Sequence, residues 1–268
     1  MSWHDPLLEE LGIGPLWVSR TAAAPQVPAA EPAGAESAAA MAQVRLAAGL
    51  PSRDTPRAAP VRRPSEQAGV ADGAVDSGDA VASLSWEALE HRVTNCALCT
   101  LCEKRTQTVF GVGDRNADWM LIGEAPGEHE DKQGEPFVGP AGKLLDNMLH
   151  ALTLQRGRDV YIANVLKCRP PGNRNPEPEE VERCAPYLQR QVALVRPKLI
   201  VAMGRFAAQS LLKTTASIAS LRGRLHEYEN VPVIVTYHPA YLLRSLPDKA
   251  KAWTDLCLAK STYDKLKG

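Results

Sequence analysis

Leu121-Ile-Gly-Glu-Ala-Pro-Gly-Glu-His-Glu-Asp-Lys-Gln-Gly-Glu-Pro-Phe-Val-Gly-Pro-Ala-Gly-Lys-Leu-Leu-Asp146 is the stretch around which the rest of the chain is organised. It grows out of a short apolar run, Trp119-Met-Leu-Ile122, that reads as a buried strand. It then breaks into a loop of glycines, prolines and carboxylates. It ends in Gly139-Pro-Ala-Gly142, ahead of a helix with Leu144, Leu145, Met148, Leu149 and Leu152 at helical spacing. A strand that opens into a polar loop at the mouth of a helix is a typical ligand crevice in an open α/β sheet. The alternative is an ordinary βα connection, but most of those run about two to six residues. This one is longer, and it carries a cluster of acids and an exposed-looking aromatic, Phe137.

Further strands lie on either side of the acidic loop. Val160–Asn164, Leu199–Met203 and Val231–Thr236 are apolar and bounded by turn residues. Between them the spacing predicts a long helix from Pro178 to Val195 and a shorter one from Arg205 to Leu212. Alternating strands and helices predict an α/β fold, a three-layer α/β/α sandwich around a four-stranded, mostly parallel sheet. Polar residues then collect at the carboxyl ends of the strands: Glu124 to Phe137, Asn164, Gly204 and His238. A doubly wound sheet binds its ligand there.

Composition limits the function classes. An apolar fraction of 44% supports a core, and 31 basic against 31 acidic residues give zero net charge, so any basic patch must be local. No run is long enough to span a membrane. Met1-Ser-Trp-His-Asp5 has an acid where a signal peptide carries bases, which points to a reducing cytosol. There, clustered cysteines more often hold a metal than a disulfide.

Residues 1–20 place Leu7, Leu8, Leu11, Ile13, Leu16, Trp17 and Val18 among acids, with Asp5 able to cap a short helix at Pro6. Such a peptide resembles a docking motif for a partner's groove. It reads equally as a segment that packs back on the core. Residues 21–82 are rich in Ala, Pro, Gly and Ser and lack periodicity, the composition of a disordered N-terminal linker. The folded domain is expected over 83–268, beginning with a helix capped by Ser85.

Cys96-Ala-Leu-Cys99-Thr-Leu-Cys102 and the distant Cys168 and Cys184 form the other chemical signal. A lone CxxC fits zinc, redox and cluster roles alike. With a second pair and no companion histidines it becomes a four-thiolate site, suited to tetrahedral zinc or an iron–sulfur cluster. The alternative is that Cys168 and Cys184 are separate buried side chains. Against this, Cys168 lies in Lys167-Cys-Arg-Pro-Pro-Gly-Asn-Arg-Asn-Pro176, which lacks apolar neighbours in sequence.

Each polar group at the strand ends has a functional and a plain reading. Asn164 can read the edge of a base or bond its own backbone. Phe137 can stack on a flat ring or fold inward. His238 can donate to an oxygen that becomes negative, or be structural. Glu124, Glu128, Glu130 and Asp131 can position water beside a cation-like sugar, or simply solvate a loop. Their convergence on one sheet edge favours the functional readings.

Gly123-Glu-Ala-Pro-Gly127, Glu130-Asp131, Gly134, Pro136-Phe-Val-Gly139 and Ala141-Gly142 resemble the first motif of the family 4 uracil-DNA glycosylases. Asn164-Val-Leu-Lys-Cys-Arg-Pro-Pro171 and His238-Pro-Ala240 resemble its other motifs, and the likeness covers about residues 92–262. The resemblance implies a monofunctional glycosylase that flips uracil out of DNA, hydrolyses its N-glycosidic bond and starts base excision repair. It implies a [4Fe-4S] cluster held by Cys96, Cys99, Cys168 and Cys184. Cys102 departs from the family pattern and offers a competing CxxC with Cys99, while Cys257 matches nothing and is expected to be buried.

The implied pocket uses Gly123, Ala125, Gly127, Phe137, Asn164 and His238 for the base. A tight loop leaves no room for a thymine methyl. Glu130, ahead of Glu124, is the expected water-orienting carboxylate, and His238 stabilises the uracil anion. Lys167, Arg169 and Arg174 are expected on phosphates. Leu242 and Arg244, with Leu246 beyond them, are expected to enter the minor groove. The implied partners are uracil-containing DNA, close to the nucleoid, and a repair or replication protein bound through residues 1–20; the chain itself would be a monomer. Two competing readings are a zinc-ribbon binding protein without chemistry and a superfamily member turned interaction subunit.

Overall fold

Strands that are apolar on both faces need a layer of helices on each side. The computed structural model, which describes residues 78–267, has this arrangement. In chain order the first elements are α1 (Gly78–Ala82), α2 (Trp86–Thr94), β1 (Val112–Gly113), β2 (Trp119–Gly123), α3 (Glu128–Gln133), α4 (Pro140–Ala151) and β3 (Val160–Asn164). They are followed by α5 (Pro178–Val195), β4 (Leu199–Met203), α6 (Arg205–Leu212), α7 (Ile218–Leu221), β5 (Leu225–Tyr228), β6 (Val231–Thr236), α8 (Pro239–Leu242) and α9 (Asp248–Lys267).

The sheet has six strands in the order β1-β3-β2-β4-β6-β5. The inner four are parallel, and β1 and β5 pair antiparallel at the edges. The sequence predicted only the inner four. β1 is two residues long and β5 alternates exposed and half-buried positions, so neither carries the apolar run that marks a strand.

Successive residues of the inner strands enter opposite cores. Trp119, Leu121, Ile162, Val201 and Ile234 pack with Leu145, Met148 and Leu149 of α4 and Leu256 of α9. Met120, Ile122, Tyr161, Ala202 and Val235 pack with Leu188 and Val192 of α5 and with Ala207, Ala208 and Leu211 of α6. A smaller cluster joins Val81, Leu89, Val93, Phe110 and Tyr187. Val81 belongs to α1, so the last residues assigned to the linker are folded against the domain. The Ser85 hydroxyl caps α2, accepting from the Ala88 N–H at 3.3 Å. The expected docking peptide and the linker up to residue 77 lie outside the described residues. Among the described residues no helix is long and apolar enough to cross a membrane.

Candidate active site

A crevice of about 740 Å³ opens at the carboxyl ends of β2, β3, β4 and β6, within the range of small-molecule sites. Asn164, the last residue of β3, lines it and is 2% exposed. Its Oδ1 is buried and has no hydrogen-bond partner among the described residues. A buried polar atom without a partner costs free energy unless something else fills the role.

The surroundings of Asn164 explain two glycines. A Cβ on Gly123 would come within 2.4 Å of Asn164 Oδ1 and 2.6 Å of Phe137 Cζ, so only glycine lets these side chains meet over β2. A Cβ on Gly142 would sit 1.7 Å from the Phe137 carbonyl oxygen, so α4 can start under Phe137 only as written. Phe137 is not the exposed aromatic its sequence setting suggests. It is 6% exposed, joins the core and stacks against His238 with centroids 5.4 Å apart. Its φ of 57° is in the left-handed region, a strained conformation for a bulky residue. Arg156 holds that strain in place: its guanidinium donates to the carbonyls of Pro136 and Phe137, both at 3.0 Å, and to Asp146 at 2.7 Å. Nothing in the sequence marked Arg156, because it acts across about twenty residues.

His238 caps α8. Its Nδ1 accepts from the Ala240 N–H at 3.1 Å, which leaves Nε2 to carry the proton. Burial pushes the imidazole down to about 4, with Arg244 adding to the effect and Glu130 opposing it. At neutral pH His238 is therefore a neutral donor facing the crevice. Gly204 has φ +96°, and a Cβ there would come within 3.0 Å of the His238 Cβ, so glycine lets the start of α6 sit against His238.

The two candidate carboxylates differ sharply. Glu130 accepts from the N–H groups of Gly127 at 3.1 Å, Val138 at 2.9 Å and Gly139 at 3.2 Å. It ties both ends of the acidic loop together. Glu124 also lines the crevice, and its carboxylate accepts no hydrogen bond from the described residues. Burial raises it to about 7, partly offset by Arg205. Arg205, the first residue of α6, also lines the crevice and was not singled out in the sequence. Ala125 and Gly127 lie beside these groups on the wall.

The rim corrects two of the expected DNA contacts. Lys167 is 1% exposed and points inward, so it cannot meet a phosphate. Leu242 is 1% exposed in the core, because it lies with Pro239 on the inward face of α8. Its neighbours Leu243 and Leu246 are 43% and 56% exposed. Asp248 buckles the turn that carries them, accepting from Tyr241 Oη at 2.6 Å and Ser245 Oγ at 2.8 Å. Arg174 is at the crevice edge but forms a two-pronged pair with Glu180 at 2.9 and 2.5 Å. Arg169 donates to Asn173 at 2.8 Å and stands 3.6 Å from Glu128. Arg244 lines the crevice and is exposed.

The family described as the uracil DNA glycosylase superfamily matches residues 110–259, which include every crevice group above. The chain is 47% identical over 167 residues to a type-4 uracil-DNA glycosylase of Archaeoglobus fulgidus, covering 59% of this chain and 83% of that protein. It is 43% identical over 183 residues to a type-4 enzyme of Thermotoga maritima, covering 67% and 95%. This chain belongs to the type-4 uracil-DNA glycosylases. A type-5 uracil-DNA glycosylase of Pyrobaculum aerophilum is 31% identical over 186 residues, covering 57% and 81%.

In this type-4 glycosylase the cysteines gather on the α5 side of β3. Cys96, Cys99, Cys168 and Cys184 line one small pocket with Leu101, Leu166 and Tyr187, and Cys102 is absent from its lining. Cys168, which has no apolar neighbours in sequence, is 6% exposed and packs with Leu101 and Leu166. Burial pushes the Cys168 thiol up to about 11 and the Cys184 thiol up to about 12. Both sulfurs accept hydrogen bonds, Cys168 from Arg105 Nη1 at 3.1 Å and Cys184 from the Lys167 N–H at 3.3 Å. Among the described residues no group of three or more His, Cys, Asp or Glu is drawn in tightly enough to hold a single metal ion. The pocket nevertheless brings four half-buried or buried thiols together, its one carboxylate, Glu180, is taken up by Arg174, and N–H groups are aimed at two of the sulfurs, which is the chemistry of a thiolate-ligated cluster. Cys257, expected to be buried, is exposed on α9.

Proposed function

We propose that this glycosylase hydrolyses the N-glycosidic bond of uracil in DNA and leaves an abasic site. The observation that carries the reading is the partnerless Oδ1 of Asn164 at the floor of the crevice, beside a neutral His238. A base inside a duplex is out of reach, so the nucleotide must flip into the crevice. Uracil N3–H would donate to Asn164 Oδ1, and the amide N–H₂ would donate to uracil O4. Cytosine presents the opposite pattern and would leave two buried groups unpaired. Phe137, held by Arg156 and glycine contacts, forms the wall on which the ring packs.

As the bond to C1′ breaks, charge grows on the uracil ring and on the sugar. The Nε2–H of His238 donates to uracil O2 as it becomes anionic. Glu124, raised toward neutrality, takes the proton from the water that attacks C1′. Glu130 keeps the loop closed and adds negative charge near the sugar. This reverses the order expected from sequence, because the Glu130 oxygens are engaged by backbone N–H groups and the Glu124 oxygens are not. Leu243 and Leu246 are the side chains placed to fill the gap left in the duplex, with Arg244 on the adjacent backbone.

Cys96, Cys99, Cys168 and Cys184 would hold a [4Fe-4S] cluster, whose role when bound is to cross-link α5, β3 and the Cys96–Cys102 segment. Support comes from the four thiols that line one pocket, the N–H···S contacts and the position of Cys102 outside the lining. A DNA substrate supports a location at the nucleoid in the cytoplasm.

The test is excision from a labelled oligonucleotide with one uracil, followed by alkali. Strand cutting that requires both the protein and uracil is expected. No cutting by iron-loaded protein would overturn the assignment. Colourless protein with stoichiometric zinc would replace the cluster and leave the excision test standing.

A further inference from the structure

Lys167, expected on a phosphate, is turned inward, and its surroundings give it another task. Its Nζ donates to the Asn164 carbonyl at 2.8 Å and to Gln191 Oε1 at 2.6 Å. Neither acceptor is a carboxylate. Lys167 lines the pocket that holds Cys96, Cys99, Cys168 and Cys184, and its own backbone N–H donates to Cys184 Sγ. A buried ammonium without a counter-charge is costly to maintain. Four thiolates around a cluster would supply that counter-charge.

The acceptors are held as well. Gln191 is fully buried, and its Nε2 donates to the Phe110 carbonyl at 2.9 Å and Tyr161 Oη at 3.2 Å. Val109 N–H donates to the Lys167 carbonyl at 2.8 Å. The hydrogen bonds Val165 N–H to Gly123 O and Leu166 N–H to Glu124 O continue the β2–β3 pairing to the crevice floor. One residue thus touches the cysteine site through its backbone N–H and the backbone of the base-reading residue through its Nζ.

We infer that Lys167 is a positioning residue that joins the cysteine site to Asn164, balancing the thiolate charge while fixing the carbonyl behind the uracil-reading amide. This rests on the four-thiolate reading of the cysteine site. The link makes the cluster more than a staple: its charge is what allows an ammonium to sit under the pocket floor.

The experiment compares wild type, Lys167→Met and Lys167→Arg, each purified without oxygen. Iron per chain and the thermal transition are measured first. Cluster reduction potential, kcat and KM on a uracil oligonucleotide, and affinity for the same strand without uracil follow. Methionine matches the length of lysine but neither donates nor carries charge. Lys167→Met is expected to keep its iron and to shift the potential to a more negative value, because a nearby cation favours the reduced cluster. Its kcat/KM should fall roughly 10- to 100-fold, the usual effect of losing a partner that orients a site, with undamaged-DNA affinity unchanged. Lys167→Arg should restore part of the potential shift.

A loaded Lys167→Met with unchanged potential and unchanged kcat/KM would overturn the inference. So would a loss of undamaged-DNA affinity with a shallower salt dependence, which marks a phosphate contact. If Lys167→Met does not fold, Gln191→Leu removes one acceptor and keeps the charge: kcat/KM should fall with the potential unmoved, and no fall would count against the link. Wild-type protein without iron would overturn the cluster reading, and the inference with it, before any variant is made.

Discussion

The floor and the rim of the crevice are built on opposite principles. On the floor, Asn164 Oδ1 and the Glu124 carboxylate accept nothing from the described residues, and the His238 proton is left on Nε2. On the rim, Glu130, Arg156, Arg174 and Asp248 each hold several hydrogen bonds or ion pairs. Both regions are rich in charge, so composition does not separate them. Partnering does: groups kept free at an energetic cost are reserved for a ligand, and groups fully satisfied hold the shape.

The largest test of this contrast is Asn164→Ala. It should lower uracil excision by about 10³-fold in single-turnover assays with thermal stability near wild type, since it removes an atom that had no partner. Full activity would break the contrast at its centre.

Glu124→Gln should cost roughly 10²-fold in kcat. It also sharpens the comparison through pH. With Glu124 at about 7, wild-type kcat should rise as pH passes through that value and the carboxylate forms, and Glu124→Gln should flatten the limb. His238, held near 4, should add no limb of its own around neutrality. The same shift has a stability sign. A carboxyl whose folded value is raised from 4.5 to about 7 releases its proton first in the unfolded chain. Stability therefore falls as pH rises across that window, and Glu124→Gln should remove the fall.

Glu130→Gln should act differently, with a loss of roughly ten-fold in activity, an unfolding free energy lowered by about 1–3 kcal/mol through lost loop bonding, and the wild-type pH limb retained. Disappearance of the limb in Glu130→Gln instead of Glu124→Gln would exchange their roles. The smallest effect belongs to the exposed turn. Leu246→Ala should slow excision from duplex DNA by a few-fold and leave single strands untouched, because only a duplex charges for flipping. An equal loss on both substrates would remove Leu246 from the gap-filling role.

Much of this was legible in the chain. Three inner strands and the helices Pro178–Val195 and Arg205–Leu212 were read with the boundaries observed, and the strand from Trp119 to within one residue, because apolar runs and their breakers are local signals. The membership of Asn164, His238, Glu124 and Glu130 in one crevice followed from strand order at the carboxyl edge. What failed was direction. Lys167 and Leu242 sit in polar or mixed sequence yet point inward, and Phe137 in a polar loop is buried. Their orientation is set by partners such as Gln191, α4 and Arg156, which are distant in sequence.

The amino-acid sequence by itself determined the α/β layering, the family and the gathering of Asn164, His238, Glu124 and Glu130 at one sheet edge, because each is written in short-range pattern or in motif spacing. Only the tertiary structure decided which carboxylate is engaged by backbone N–H groups, which leucines of the turn are exposed, and that the lysine beside Cys168 points inward. Those outcomes depend on hydrogen bonds that close between segments far apart in the chain, and no local pattern encodes them.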